Sequence, residues 1–226
     1  MIKKLNNIGD CGIVCDFGDE VNKSINTSVI KLFNHIKNQV SKGNLEGILN
    51  YTPSYNKLII NFDLEKINSS KIIDFLKSVN FSKINLSQNS KKWTIPVCYD
   101  FEMDLENMSK TLKMNKDEII NIHLNTDFFV YMIGFIPGHP FMGDLDKKFE
   151  TNRLETPRVK LPRGSVGIVE KFCNIYPFES PGGWNIVGKT PLQLFNINKK
   201  ITSLLSPGDT VIFKSITKKD LLSFIK

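Results

Sequence analysis

Strand-like and helix-like hydrophobic patterns alternate through the first third of the chain. Apolar residues recur at helical spacing over Val21–Ser41 and Lys71–Val79, so each segment predicts an amphipathic helix. The short apolar runs Gly12–Phe17, Leu45–Tyr51 and Lys57–Phe62 are typical of strands. Their order along the chain (strand, helix, strand, strand, helix) predicts a small α+β sandwich.

Beyond Asp127, prolines and glycines divide the chain into short strand-like segments. Seven of the ten prolines and eight of the fourteen glycines lie between Gly134 and Pro191. Many short strands separated by such residues predict a barrel or a sandwich. The elements predicted here and just upstream are strands at Trp93–Cys98, Phe128–Ile136, Ser165–Val169, Trp184–Val187, Leu192–Phe195 and Thr210–Lys214, and helices at Asp104–Leu112 and Lys116–Leu124.

The polar segment Phe81–Lys92 predicts a linker, so we expect two domains, residues 1–84 and 85–226.

The overall composition is that of a globular protein. The 226 residues are 41% hydrophobic and 23% charged, a balance that excludes disordered, collagen-like and coiled-coil chains. The net charge of +7 is spread along the chain without a basic block, which argues against a nucleic-acid partner. The first ten residues lack the apolar core of a secretory signal, and no apolar run is long enough to span a bilayer. We therefore expect a cytoplasmic protein without a membrane partner.

The cysteines and histidines give no sign of a metal site. Cys11, Cys15, Cys98 and Cys173 form no C-x-x-C pair, and the three histidines are scattered along the chain. This usage predicts a reduced chain in which the cysteines are small core residues, and it predicts no bound metal.

Arginine is rare in this chain and confined to one segment. Of the 30 basic residues only Arg153, Arg158 and Arg163 are arginines, and they lie within eleven residues of one another. The planar guanidinium binds carboxylate or phosphate through two hydrogen bonds, which lysine cannot reproduce. The cluster indicates an anion-binding site, a structural ion pair with Asp or Glu, or a chance grouping, and the sequence leaves these alternatives open.

Two further residues are candidates for chemistry. His139 lies in the rigid segment Gly134-Phe-Ile-Pro-Gly-His-Pro-Phe-Met-Gly143, where it would act as a general acid or base, or hold the turn through a hydrogen bond. Trp184 would stack on a ligand ring or pack in the core.

The segment Gly183–Thr190 matches the phosphate-binding pattern G-x-x-x-x-G-K-[ST], but its surroundings argue against that function. A phosphate-binding loop needs a buried strand before it and a helix after it, so that backbone N–H groups surround the phosphate. Here Phe178–Gly183 is not a hydrophobic strand, and the residues that follow alternate like a strand. We therefore predict a strand rather than a nucleotide site.

Three ordered motifs resemble the PxpB/KipI family, also called allophanate hydrolase subunit 1-like. They are the Gly134–Gly143 segment, Thr156-Pro-Arg-Val-Lys-Leu-Pro-Arg-Gly-Ser-Val-Gly-Ile168, and Ile175-Tyr-Pro followed by Ser-Pro-Gly-Gly-Trp-Asn-Ile-Val-Gly-Lys-Thr-Pro191. The resemblance extends in weaker form over the whole chain, through Tyr51–Asn61 and Ser206–Phe213. It implies an α+β protein with a small ferredoxin-like N-terminal domain and a cyclophilin-like β-barrel domain.

The resemblance also implies an activity and partners. One branch of the family is the PxpB subunit of a bacterial ATP-dependent 5-oxoprolinase, a hydrolase that works with PxpA and PxpC subunits to open 5-oxo-L-proline to L-glutamate. This branch implies ATP as co-substrate, with Mg, and an active site completed by a partner subunit. Another branch inhibits a sensor histidine kinase without catalysis. The motifs define the shared barrel, so they do not separate the two branches.

The candidate site residues fall in these motifs. The catalytic candidates are Arg158, Ser165 and His139, and the substrate-binding candidates are Arg163, Gly182, Gly183 and Trp184. The arginines would hold a carboxylate or phosphate, while Ser165 and the glycine backbone would donate hydrogen bonds to developing negative charge. The family usually has an aromatic residue at the position of His139 and a small residue at that of Arg163. Arg158 stands in the family's Pro-Arg motif, and Arg153 has no assigned role.

Overall fold

The computed structural model describes residues 1–84, 90–149 and 151–224. The chain divides into two compact units, residues 1–89 and 90–226. Residues 85–89 of the predicted linker lie outside the described residues, and the predicted domain limits, 1–84 and 85–226, stay a prediction. No described helix is both long enough and apolar enough to cross a bilayer.

The first unit contains one antiparallel sheet and two helices in its described residues. The sheet has the strand order β1-β2-β4-β3. The elements are β1 (Lys4–Ile8), β2 (Gly12–Asp16), α1 (Lys23–Ser41), β3 (Ile48–Pro53), β4 (Lys57–Phe62) and α2 (Ser69–Ser78), followed by a 3₁₀ turn at Phe81–Lys83. The sequence did not predict β1, because this edge strand is polar and mostly exposed and lacks a buried alternating face.

The two helices cover one face of this sheet, as their hydrophobic periods predicted. Both begin at an asparagine whose side chain accepts a backbone N–H, Asn22 from Ile25 and Asn68 from Lys71. The core between helices and sheet consists of Ile13, Cys15, Phe17, Val29, Leu32, Ile36, Leu45, Leu58, Ile60, Phe62, Ile72 and Leu76. Helical and strand residues thus share one hydrophobic core.

The second unit is built around a seven-stranded sheet with the order β12-β9-β10-β7-β6-β13-β5. Its strands are β5 (Lys92–Val97), β6 (Phe128–Ile133), β7 (Pro140–Gly143), β8 (Arg158–Leu161), β9 (Ser165–Val169), β10 (Phe172–Ile175), β11 (Ser180–Gly182), β12 (Asn185–Lys189) and β13 (Thr210–Ser215). Its helices are α3 (Leu105–Leu112), α4 (Lys116–Leu124) and α5 (Lys218–Ser223). Strands β8 and β11 form a separate two-stranded sheet.

The seven-stranded sheet curls until its two edge strands meet. Cys98, directly after β5, and Lys189, the last residue of β12, exchange backbone hydrogen bonds of 2.9 and 3.0 Å. Neighbouring strands run antiparallel except β13 and β5, which are parallel. The sheet is therefore a nearly closed barrel, which fits the cyclophilin-like barrel that the resemblance implied.

A buried polar chain joins helix α4 to the barrel core. The Tyr99 hydroxyl and His123 Nδ1 are 2.7 Å apart and hydrogen-bonded, and His123 Nε2 lies 3.6 Å from Cys173 Sγ. The His123 ring stacks on Phe213 with centroids 4.3 Å apart. Complete burial lowers the pKa of His123 to about 3, so its imidazole is neutral at pH 7. Cys15, Cys98 and Cys173 are buried, as predicted, but the prediction is wrong for Cys11, which is exposed because it lies in the turn between β1 and β2.

Three predicted strands differ from the structure. The strand predicted over Leu45–Tyr51 begins only at Ile48 and extends to Pro53, because residues 45–47 form a turn. Leu192–Phe195 does not form a strand, and only Phe195 makes an isolated bridge, to Ser203. Its alternation reflects burial of Leu194 in the barrel core rather than pairing with a neighbouring strand. The strand predicted over Phe128–Ile136 ends at Ile133, because the chain turns at Gly134.

Candidate functional site

A second, smaller layer covers part of the outer face of the barrel. Asn174 lies in β10 between Cys173 and Ile175, whose side chains are in the barrel core, so its own side chain points to the outer face. Leu161, Tyr176 and Ile186 form a separate apolar cluster on this side. The β8–β11 sheet contributes Leu161 to it and thereby encloses polar groups between itself and the barrel.

His139 and Asn174 meet inside this enclosure. His139 is 1% exposed, and its Nε2 accepts a hydrogen bond of 3.1 Å from the Asn174 side-chain amide. His139 Nδ1 and Asn174 Oδ1 have no hydrogen-bond partner among the described residues. Burial lowers the pKa of His139 to about 4, so the imidazole is neutral at pH 7. A neutral imidazole with so low a pKa is a weak general base at pH 7.

Tyr176 lies at the centre of the predicted site residues. Its ring centroid is 5.1 Å from that of His139, and a Cβ added at Gly182 would collide with its hydroxyl. Burial raises the pKa of Tyr176, and hydrogen bonds from the Asn174 side chain and the Trp184 backbone oppose that shift. The positive charges of Arg153 and Arg158 lower this pKa as well. Tyr176 therefore connects residues that are distant along the chain.

Trp184 forms a wall of the same enclosure and supports Arg153. The indole is 6% exposed, and its centroid is 6.0 Å from that of Phe141. The Arg153 guanidinium lies 5.9 Å from the indole centroid, within the range of a cation–π contact. The neighbouring Gly183 accepts a 2.8 Å hydrogen bond from the Leu154 N–H, which fixes the chain that carries Arg153. Arg153, which the sequence left without a role, thus lies beside the predicted site.

Arg158 is held by an aspartate that the sequence did not single out. Its Nη2 and Nη1 donate to the two carboxylate oxygens of Asp104, at 2.6 and 3.0 Å. Asp104 is 2% exposed and also accepts the backbone N–H of Ile186 at 2.6 Å. The structural ion pair left open by the sequence is thus present. The guanidinium retains its Nε–H and one further hydrogen on each terminal nitrogen.

Ser165 and Arg163 lie nearby but interact with the local backbone. The Ser165 hydroxyl donates to the Pro162 carbonyl at 2.7 Å, and Arg163 Nη2 donates to the Pro191 carbonyl at 3.4 Å. Within the described ranges, neither side chain hydrogen-bonds to His139, Asn174 or Tyr176. The structure therefore groups His139, Gly182, Trp184 and Arg158 around Tyr176, and places Ser165 and Arg163 at the adjoining turn.

The structure also answers the question of the phosphate-binding pattern. Within Gly183–Thr190, residues Asn185–Lys189 form strand β12, and no helix follows directly. The segment is a barrel strand, as predicted. In the part of the chain that the structure describes, no three His, Cys, Asp or Glu side chains are grouped as they would be around a metal ion.

The same architecture occurs in a solved structure. The crystal structure of TTHA0988 matches 91% of this chain with a TM-score of 0.80 at 26% sequence identity. This chain spans 40% of the length of that longer chain. The match supports a mixed α/β protein whose second unit is a nearly closed barrel that fits the cyclophilin-like fold.

The chain belongs to the family of the carboxyltransferase domain, subdomain C and D, whose model matches residues 3–205. It is 34% identical to the 5-oxoprolinase B subunit of Bacillus subtilis, over 96% of this chain and 94% of that protein. It is also 44% identical to the 5-oxoprolinase B subunit of Haemophilus influenzae, over 53% of this chain and 57% of that protein. The resemblance to the PxpB family is thereby confirmed.

Proposed function

We propose that this chain is the B-type subunit of an ATP-dependent 5-oxoprolinase, a cytoplasmic hydrolase that converts 5-oxo-L-proline to L-glutamate. The observation that carries the proposal is the 34% identity to the corresponding B. subtilis protein over nearly the full length of both chains. The named relatives are enzyme subunits, so they support this activity over inhibition of a histidine kinase.

The chain acts together with A-like and C-like subunits. Its relatives are named as one subunit of the enzyme, and a longer polypeptide contains the same fold in TTHA0988. ATP, with Mg, binds at a site that a partner subunit completes, and the chain alone does not turn over substrate.

The first unit is a ferredoxin-like variant in which β1, from the start of the chain, occupies an edge of the sheet.

The chemistry explains why ATP is needed and what this chain contributes. A lactam carbonyl is a poor electrophile because its nitrogen donates electron density to it. Transfer of a phosphoryl group from ATP to the lactam oxygen, with ADP as the leaving group, makes the carbon electrophilic. Water adds to this carbon, and the C–N bond breaks with its electron pair and a proton passing to the nitrogen. A second water then releases inorganic phosphate from the resulting acyl phosphate and leaves the carboxylate. Positive charge and N–H donors placed beforehand lower the barrier by stabilising the negative charge that develops.

The residues around Tyr176 take specific roles in this scheme. Arg158, oriented by Asp104, holds the substrate carboxylate through its remaining hydrogens. Gly182 and Gly183 offer backbone N–H groups, and Trp184 packs against the ring of the substrate. His139, as a neutral imidazole, donates or accepts a hydrogen bond rather than carrying charge. Ser165 and Arg163 act at the adjoining turn.

Reconstitution with the other subunits tests the proposal. The chain is co-expressed with the A-like and C-like proteins of the same genome, and ATP hydrolysis and glutamate formation are measured with and without 5-oxoproline. We expect turnover that depends on 5-oxoproline and requires every subunit. Turnover by this chain alone would contradict the shared site, and ATP hydrolysis indifferent to 5-oxoproline in the full set would contradict the substrate.

A further inference from the structure

Of the three arginines, only Arg153 has no oxygen acceptor among the described residues. The Arg158 guanidinium donates to the Asp104 carboxylate. Arg163 donates to the Pro191 carbonyl. In the described part of the chain, no carboxylate lies within ion-pair distance of the Arg153 guanidinium, and no hydrogen-bond acceptor takes its N–H groups. Arg153 is exposed, so these donors are open to a ligand.

The backbone on both sides of Arg153 is held by hydrogen bonds. The Asn152 carbonyl, in the peptide group before Arg153, accepts a bond of 2.9 Å from the Asn185 side-chain amide. The Leu154 N–H, in the peptide group after it, donates to the Gly183 carbonyl at 2.8 Å. Asn185 is 7% exposed and belongs to barrel strand β12. Because both flanking peptide groups are fixed, the side chain of Arg153 is positioned before any ligand binds, which reduces the entropic cost of binding.

The Arg153 guanidinium lies beside the residues grouped around Tyr176. It is 5.9 Å from the centroid of the Trp184 indole, within the range of a cation–π contact. Its positive charge lowers the pKa of Tyr176, as that of Arg158 does. Arg158 in turn lies opposite Gly182, where an added Cβ would collide with the Tyr176 hydroxyl. The two arginines therefore act on the same part of the site.

An uncompensated guanidinium in this position suits an anionic ligand. Guanidinium binds two oxygens of a carboxylate or phosphate through parallel hydrogen bonds, which lysine cannot reproduce. The charge of Arg158 is balanced by the buried carboxylate of Asp104, whereas Arg153 retains its full charge within the described chain. By the proposed function, two anionic groups reach this site, the substrate carboxylate and the phosphoryl group of ATP.

We propose that Arg153 binds an anionic oxygen group of the reactants, either the phosphoryl group or the substrate carboxylate. This inference rests on the proposed function, since that function supplies the two anions. It gives the exposed arginine a direct contact with the ligand, and it gives Trp184 the additional task of supporting that arginine.

The variants that test Arg153 separate its charge from its geometry. Arg153→Gln keeps a polar side chain without the charge, and Arg153→Lys keeps the charge without the planar guanidinium. Lys91→Gln is the matched control, because Lys91 is an exposed cation 5.6 Å from the ring centroid of Trp93, the only other tryptophan of the chain. All three changes are at exposed positions, so we expect at most a small change in melting temperature.

Anion binding is measured on the full chain by tryptophan fluorescence. The protein is titrated with inorganic phosphate and, separately, with 5-oxo-L-proline, at an ionic strength held constant with KCl. Because Trp184 lies beside Arg153, we expect a saturable change in the wild type. Arg153→Gln should raise the dissociation constant roughly tenfold or more, Arg153→Lys should restore only part of the loss, and Lys91→Gln should match the wild type.

The outcomes of this titration decide the proposal and the source of the anion. The anion whose binding Arg153→Gln weakens more identifies the group that Arg153 holds, phosphate for the phosphoryl group and 5-oxoproline for the carboxylate. No saturable change in the wild type, or wild-type affinity for both anions in Arg153→Gln, would overturn the proposal. A lower melting temperature of Arg153→Gln with unchanged affinity for both anions would assign Arg153 to the support of Trp184 alone.

The turnover assay separates this inference from the proposed function. If Arg153→Gln loses anion binding but the reconstituted wild-type complex does not hydrolyse 5-oxoproline, the function is wrong and the anion site stands. If the wild-type complex hydrolyses 5-oxoproline and Arg153→Gln matches it in anion affinity and in kcat/KM, the anion site is wrong and the function stands.

Discussion

Asp104 and Arg158 are joined by two hydrogen bonds between one carboxylate and one guanidinium, 54 residues apart along the chain. Asp104 precedes α3 and also accepts the Ile186 N–H at the end of β12 that faces the site. Arg158 begins β8, where it lies opposite Gly182 of β11. A single buried carboxylate therefore fixes a helix, a barrel strand and the outer sheet relative to one another.

Breaking this ion pair should destabilise the protein strongly. Asp104→Asn leaves the guanidinium without a counter-charge and keeps the volume, so we expect a loss of about 3 kcal/mol in the free energy of unfolding. Urea unfolding of Asp104→Ala, Arg158→Ala and the double variant gives the coupling free energy between the two side chains. A double variant as unstable as the sum of the single variants would contradict the pairing.

Arg158 should also be required for activity beyond its effect on stability. Lysine supplies charge but not the planar geometry, so Arg158→Lys should lose nearly as much activity as Arg158→Ala in the reconstituted complex. Turnover is measured at a temperature where both variants are folded by circular dichroism. Full activity in Arg158→Lys would exclude a two-point role for the guanidinium.

Adjacent glycines at the site should respond differently to a methyl group. A Cβ at Gly182 would collide with the Tyr176 hydroxyl and lie 2.7 Å from Leu161 Cδ1, whereas a Cβ at Gly183 would find its nearest neighbour at 3.6 Å. We expect Gly182→Ala to cost about 1–3 kcal/mol and Gly183→Ala to be tolerated. Urea midpoints measure both, and Tyr176→Phe should restore part of the loss in Gly182→Ala. Equal midpoints for the two glycine variants would contradict the close packing.

His139 should make the protein less stable in mild acid. Burial lowers its pKa to about 4, below the value of 6.5 for an ordinary histidine, so the unfolded chain binds a proton that the folded chain does not. The free energy of unfolding therefore has its full value above pH 6.5. It decreases as the pH falls towards 4, by on the order of 3 kcal/mol.

His139→Phe should flatten this dependence between pH 7 and pH 4. Chemical unfolding at several pH values compares the two proteins, and His123 is present in both, so its own titration cancels. A variant with the slope of the wild type would show that folding does not lower the pKa of His139.

Thiol reactivity should divide the cysteines into two classes. Burial raises the pKa of Cys15 to about 12 and raises those of Cys98 and Cys173, while Cys11 is exposed. A thiol reagent should therefore label Cys11 in the native protein and the other three only after unfolding. Cys11→Ser should remove the fast reaction, and fast labelling that persists in this variant would contradict the burial.

Sequence patterns located most elements whose burial has a regular period. The structure has β4 at Lys57–Phe62, α4 at Lys116–Leu124 and β9 at Ser165–Val169, with the predicted limits. Strand β1 was missed because it is polar and mostly exposed. Strands β7, β8, β10 and β11 were missed because each has only three or four residues, too few to show a period. Periodicity reports how a segment is buried, and it is silent where little is buried.

The site was predicted less completely, because its contacts join distant parts of the chain. The rarity of arginine drew attention to Arg158, yet nothing in the local sequence indicates that Asp104 is its partner. The pairing of His139 with Asn174 and the position of Arg153 over Trp184 likewise depend on tertiary structure. The resemblance supplied the motif containing Tyr176, and only the fold showed that this residue lies at the centre.

The parallel pairing of β5 with β13 has a consequence for the synthesis of the protein. The first strand of the barrel, Lys92–Val97, pairs with Thr210–Ser215, which is synthesised more than a hundred residues later. Asp209, just before that last strand, accepts hydrogen bonds from the Lys91 N–H and the Trp93 indole N–H. The first unit, by contrast, has its last α-helix by Ser78. During translation the first unit can fold early. The barrel cannot close until its last strand is synthesised, so its apolar strands stay exposed until then. We therefore expect the unfinished barrel, rather than the first unit, to be the part of the chain that is prone to aggregate during translation.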